Sequence, residues 1–365
     1  MEKNILKITG KQFSELFLIS CGIIIAACIA KIPQFFGLVE DEYYAKNLSF
    51  IIVPSLMGYF IWKKEINIKK AAIALSLIIF SWVYMNLLPA VESKDSLILA
   101  CMHMPIFAWS ILGFIYIKGE VNNAKSKIEY LIFNSNLAVM SALLVMAGFI
   151  FSALTIGLFN LIEVKIETFY FSYVVITGLS AIPLIASYLV ENNAGLVNKI
   201  TPLIAKIFTP IVLIMLTIFT ITLFTTGKSI YSNRDFLLIF NVVLIGVMAL
   251  ILFSVIEANK QKENKVNTIL VFLLALVTII VNGIALSAIL FRLSAFGISA
   301  NRIAVLGVNL IIFVNLIFVF FKLIKAIKKK VEIEEVANTI VAYLPIYGGW
   351  AFIVTFLFPL LFQYK

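Results

Sequence analysis

Apolar runs of about 20 residues recur along the whole chain, each long enough to cross a hydrocarbon core of roughly 30 Å as a helix. The polar segments between them are no longer than short loops. This pattern predicts an all-α fold, a polytopic transmembrane helix bundle in one integral membrane domain over 1–365. Composition agrees, because 62% hydrophobic residues, a mean hydropathy of +1.07 and 32 phenylalanines cannot make a water-soluble surface at this length. A soluble nucleotide-binding or kinase domain is excluded, and no G-x-x-x-x-G-K-[ST] occurs. Any activity must be built from the helices and their loops.

Eleven spans are expected, at roughly 13–31, 48–62, 71–90, 96–117, 136–162, 169–190, 203–225, 236–256, 266–291, 302–323 and 338–362. The net charge of +10 reads as topology. Lys63, Lys64, Lys69 and Lys70 follow the second span, Lys118, Lys125 and Lys127 the fourth, Lys260, Lys262 and Lys265 the eighth, and Lys322 to Lys330 the tenth. With Lys3, Lys7, Lys11, Lys199 and Lys206, one side collects twenty basic residues against nine elsewhere. The excess alternates loop by loop, so the N-terminus is expected in the cytoplasm and the C-terminus outside. The opposite loops carry Glu40, Asp41, Glu42, Glu92, Asp95, Glu163, Glu167 and Asp235.

Two features complicate the threading. Ile25-Ala26-Ala27-Cys28 resembles a lipobox, but Glu15 inside the apolar segment and a long leading region favour retaining the first helix. The run from Ile128 to Ile162 is too long for one perpendicular span. It is either steeply tilted or opens with an interfacial turn, with Asn134 and Asn136 interrupting its first part. Gly148-x-x-x-Ser152 and Ala153-x-x-x-Gly157 within it read as helix-packing positions.

Only three arginines occur, Arg234, Arg292 and Arg302, and all fall on the side that positive-inside bias disfavours. Arg292 and Arg302 bracket a predicted tight helical hairpin, with Gly297 able to adopt positive φ and Ser299 placed to cap the helix beginning near Arg302. Arg292 shares a face with Ala285 and Ala288 and suits the C-terminal end of its helix. Arg302 opposes the dipole of the helix that it opens, which calls for an acidic partner or an anionic ligand. Asn309, seven residues on, lies on the same face. Two guanidinium groups here could grip a phosphate or carboxylate. The competing reading is a structural lock through Asp41, Glu42 or Asp235.

Other polar positions carry less chemistry. Ala100-Cys101-Met102-His103-Met104-Pro105 contains soft donors, but only Cys101 and Met104 share a helical face. No metal or other cofactor is expected. Cys21, Cys28 and Cys101 form neither a disulfide framework nor a thiolate site. Helix breaks are expected at Pro202 and Pro210 and at Pro345, Gly348 and Gly349, where a broken helix could line a cavity.

The hairpin, running into Ile303-Ala304-Val305-Leu306-Gly307-Val308-Asn309, resembles the arginine, aromatic-glycine, hydroxyl, arginine signature of domain-of-unknown-function family 4153. Leu344-Pro345-Ile346-Tyr347, Trp350, Phe358-Pro359-Leu360 and the prolines of the seventh span also resemble it, so the likeness is concentrated in 199–362. Phe296 stands where tyrosine is expected, Ser299 where threonine is usual and Ala300 where proline is common. The resemblance implies a multi-pass bacterial inner-membrane protein and brings no reaction with it.

The function expected from the residues is permease-like, binding or moving an anionic solute or lipid headgroup, with the lipid bilayer as surroundings and no nucleic acid partner. Two alternatives stay open. One is a non-transporting subunit that senses or assembles with partner proteins. The other is a membrane-embedded enzyme on a lipid-linked substrate, for which Asp41, Glu42, Glu92, Asp95 and Asp235 are the outer acidic candidates.

Overall fold

The computed structural model describes residues 10–91, 94–161, 165–192, 208–221, 225, 243–255 and 265–364, and among these there is no strand. The helices are α1 (Gly10–Phe36), α2 (Glu40–Lys63), α3 (Ile68–Leu87), α4 (Asp95–Tyr116), α5 (Ala124–Leu161) and α6 (Glu167–Asn192). They continue with α7 (Phe208–Ile221), α8 (Val243–Val255), α9 (Lys265–Phe296), α10 (Ala300–Ile327) and α11 (Ile333–Leu361). Eight of them, all but α2, α7 and α8, are long and apolar enough to cross a membrane. Helix α2 opens with Glu40, Asp41 and Glu42, which suit a helix N-terminus but lower its apolarity. Each expected span overlaps one of these helices.

Contacts divide the chain into two compact units. The first comprises Met1–Ala90, Ile111–Glu120 and Asn136–Val197, and the second comprises Val91–Ser110, Val121–Ser135 and Asn198–Lys365. Lipid tails are as apolar as leucine, so burying apolar side chains does not by itself select helix partners in a bilayer. Small residues and hydrogen bonds do.

In the first unit α1 packs on α2 and α6, and α2 on α3. At one end Glu15 Oε1, on a residue only 3% exposed, accepts from Tyr59 Oη at 2.8 Å, from Asn192 Nδ2 at 2.8 Å and from Lys63 Nζ. Beside it Lys64 lies over the Tyr116 ring and pairs with Glu191 at 3.5 Å. Lys70 Nζ donates to the Lys118 carbonyl at the same end. At the other end Tyr43 and Tyr44 donate to the carbonyls of Ile29 and Ala30, and Asn47 exchanges amide hydrogen bonds with Asn86.

The long helix α5 departs from expectation. Its 38 residues run without a break through Asn134 and Asn136, about 57 Å at 1.5 Å per residue. The side chains explain why these asparagines do not interrupt it. Asn134 accepts from Trp109 Nε1 at 2.7 Å and donates to the Tyr130 carbonyl one turn back, so its amide is satisfied inside a regular helix. Farther along, among the described residues nothing lies within 4 Å of where a Cβ on Gly148 would stand.

In the second unit α9 and α10 form an antiparallel hairpin, with Val271, Leu274, Leu316 and Leu323 buried in one core together with Ile251 of α8 and Ile340 of α11. Thr209 and Ser254 join α7 to α8 through their hydroxyls at 2.7 Å. The closest approach is at Gly307, where an added Cβ would stand 2.0 Å from Trp350 Cζ2. Only glycine admits the indole there.

Helix α11 breaks at Ala342 and Tyr343, just before Pro345, which then takes a first-turn position in the helix that follows. Gly348 and Gly349 continue that helix and do not break it. Gly348 instead faces Ser110, whose Oγ would be 2.8 Å from an added Cβ. A wide π turn over Ile353–Leu357 precedes Pro359, whose missing N–H and ring disrupt the regular ladder. Pro210 lies near the start of α7, and Pro202 lies outside the described residues.

Candidate functional site

The hairpin between α9 and α10 has the local geometry that its residues dictate. Helix α9 ends at Phe296, and Gly297 follows with φ of +75°, the left-handed conformation that commonly closes a helix. Ser299 is extended, and its Oγ accepts from the Arg302 backbone N–H at 3.4 Å, which caps α10.

Arg302 turns back onto the helix that precedes it. Its Nη1 donates to the carbonyls of Phe296 at 2.8 Å and Gly297 at 2.7 Å. These are C-terminal carbonyls that a helix leaves without intrahelical donors, and they form the negative end of the α9 dipole. The unfavourable position of Arg302 in its own helix is thus answered by the end of the neighbouring one. No acidic side chain is needed for this, and among the described residues neither Arg292 nor Arg302 lies within 4.0 Å of a carboxylate. Replacing Arg302 with glutamine is expected to lower ligand-free stability by about 1–3 kcal/mol, the range for hydrogen bonds to a charged donor. Thermal unfolding in detergent measures it.

Arg292 has different surroundings. It lies one turn before Phe296, and the spacing brings its guanidinium to 5.8 Å from the ring centroid, while Arg302 lies 5.6 Å from the same ring. Two cations therefore share one aromatic side chain. Ala285 and Ala288, on the Arg292 face, are fully buried. Arg292 Nη1 is itself buried and has no hydrogen-bond partner among the described residues. A charged donor in that condition is costly, and the cost disappears when an anion accepts from it.

Asn309 is on the same seam but deeper, about 10 Å along α10 from Arg302 at 1.5 Å per residue. It is 1% exposed, its Nδ2 donates to the Val305 carbonyl, and its own carbonyl accepts from Asn282 Nδ2 at 3.3 Å. Its backbone carbonyl thus ties α10 to α9. Glu42 pairs with Lys46 one turn on in its own helix at 2.8 Å, Asp41 is exposed, and Asp235 lies outside the described residues together with Arg234.

His103 Nδ1 lies 2.9 Å from the Leu99 carbonyl, a contact that requires the proton on Nδ1. Among the described residues no group of three or more His, Cys, Asp and Glu side chains is placed to hold a metal. A cavity of about 410 Å³ lies at the opposite end of α10 from the hairpin, lined by Lys329, Lys330, Glu332, Glu334, Glu335 and Asn338.

Sequence reasoning did not foresee two arrangements, the carboxylate of Glu15 with its three donors and the close approach of the Trp350 indole ring to Gly307. A lone acid in an apolar run signalled the first. The second left no signal beyond a glycine in one helix and a tryptophan in another.

Fold and site together define a multi-pass membrane protein, helical and without strands among the described residues, in which one guanidinium nitrogen at a helical hairpin, Arg292 Nη1, is buried without a hydrogen-bond partner among those residues. No protein family, curated protein or solved structure matches the chain.

Proposed function

We propose that the chain is an eleven-span bacterial inner-membrane protein, akin to domain-of-unknown-function family 4153, that binds or moves an anionic solute or lipid headgroup at its outer-facing α9–α10 hairpin. One observation carries this reading: Arg292 Nη1 is buried without a hydrogen-bond partner, and neither arginine of the hairpin has a carboxylate within 4.0 Å, among the described residues. The joint clustering of Lys63, Lys64, Lys70 and Lys118 at one end of the first unit supports threading with the N-terminus in the cytoplasm.

Arg302 positions the loop and Arg292 supplies the free donor. Purified wild type is expected to unfold at a higher temperature with phosphate- or carboxylate-bearing ligands, because a ligand stabilises only the state that binds it. Arg292→Gln is expected to melt no lower than wild type without ligand, since it removes a costly buried charge, and to lose that shift. An equal shift in wild type and Arg292→Gln would remove the hypothesis.

A second reading, a subunit that assembles with partner proteins, rests on α5, where Met146, Phe149, Ile150, Phe151 and Leu154 are all exposed. A pull-down from native membranes in mild detergent separates it from the first. Recovery of this chain alone would end the subunit reading.

A further inference from the structure

Resting on the anion site at Arg292, we propose that its ligand is an amphiphile, an anionic membrane lipid whose headgroup phosphate accepts from Arg292 while its apolar body lies on the outside of the hairpin. The side chains around the guanidinium groups argue for this. Leu290 is 53% exposed, Phe291 49%, Phe296 60% and Ile298 74%, so the arginines sit in a surround of large apolar side chains.

A site built for a small hydrated anion would present polar side chains along its approach, since the anion must stay solvated until it is bound. Here four large exposed apolar side chains flank the turn, against exposed Ser294 and half-buried Ser299 and Asn301. Hydrocarbon is the medium that such side chains face at least cost, and a cation held among them is costly unless an anion sits at the same depth. A long arginine side chain near a helix end reaches the interface, where lipid phosphates lie. Phe296 serves both parts of the ligand. Its ring steadies the two guanidinium groups and its exposed face continues the apolar surface.

Four probes distinguish the sources of the phosphate: dioleoyl phosphatidylglycerol, dioleoyl phosphatidylcholine, glycerol 3-phosphate and inorganic phosphate, each titrated against wild type in a neutral detergent with unfolding temperature as readout. The anionic lipid is expected to raise that temperature at a concentration at least about tenfold below any at which the two soluble phosphates act. The zwitterionic lipid is expected to give a much smaller shift. Ile298→Ser, which removes apolar surface without touching an arginine, is expected to weaken the lipid response and leave any soluble-phosphate response unchanged.

If the soluble phosphates match the lipid, the amphiphile proposal is wrong and the anion site stands. If neither lipids nor soluble anions shift wild type, both are wrong. A lipid response equal for phosphatidylglycerol and phosphatidylcholine would also overturn the proposal, since it would owe nothing to net charge. The decisive comparisons use wild type, so a variant that folds poorly does not obscure them.

Discussion

Glu15→Ala is expected to destabilise the first unit by about 3–5 kcal/mol, the cost of removing one partner from a buried ion pair. One carboxylate oxygen accepts from Tyr59 on α2, Lys63 on α2 and Asn192 on α6, so its loss unfastens α1 from both neighbours and strands Tyr59, while Lys63 keeps Asn192 Oδ1 and Asn192 keeps the Tyr188 carbonyl. Lys63 is partly exposed and can turn toward water, but Tyr59 is 1% exposed and cannot. Glu15→Gln should cost less, about 1–2 kcal/mol, because an amide oxygen still accepts neutral hydrogen bonds. Replacing the pair together, Glu15→Leu with Lys63→Met, should recover much of the loss, since no charge is then left unpaired. Thermal unfolding of the four proteins in detergent gives the order. If Glu15→Ala melts with wild type, the cluster does not fasten α1.

Gly307→Ala is the second large effect. The added methyl would stand 2.0 Å from Trp350 Cζ2 and 2.2 Å from Cη2, far inside van der Waals contact, and the indole is a rigid plate. Either α10 or α11 must move. The expected cost is about 3 kcal/mol, the upper part of the range for overpacking. Trp350→Leu alone should also destabilise, by leaving a cavity. The two changes made together should cost clearly less than their sum, because the smaller side chain makes room for the methyl. Additivity within about 0.5 kcal/mol would show that the two positions do not press on each other.

The helices were legible because a membrane span needs about 20 consecutive apolar residues, and local composition shows such a run without knowledge of its neighbours. The hairpin was legible for the same reason. Gly297 and Ser299 act within three residues of themselves, and both adopt the conformations that their chemistry suggests. What lay beyond the sequence was every contact that joins distant segments. Arg302 looked misplaced because its own helix was the only frame available, and the carbonyls that it serves belong to the helix before. Asn134 looked like an interruption because its partner, Trp109, is on another helix. Gly348 and Gly349 looked like breaks because glycine weakens isolated helices, whereas Gly348 is used here for a close approach to Ser110.

Unfolding temperatures of Arg292→Gln and Arg302→Gln, each measured with and without an anionic lipid, test the division of labour between the two arginines most directly. Arg302→Gln is expected to melt below wild type without ligand and still to respond to it, since it loses the α9 carbonyl contacts but keeps Arg292. Arg292→Gln is expected to melt no lower than wild type without ligand and to show no response. The opposite pattern, with Arg292→Gln unstable but responsive and Arg302→Gln stable but unresponsive, would contradict an anion site built on Arg292.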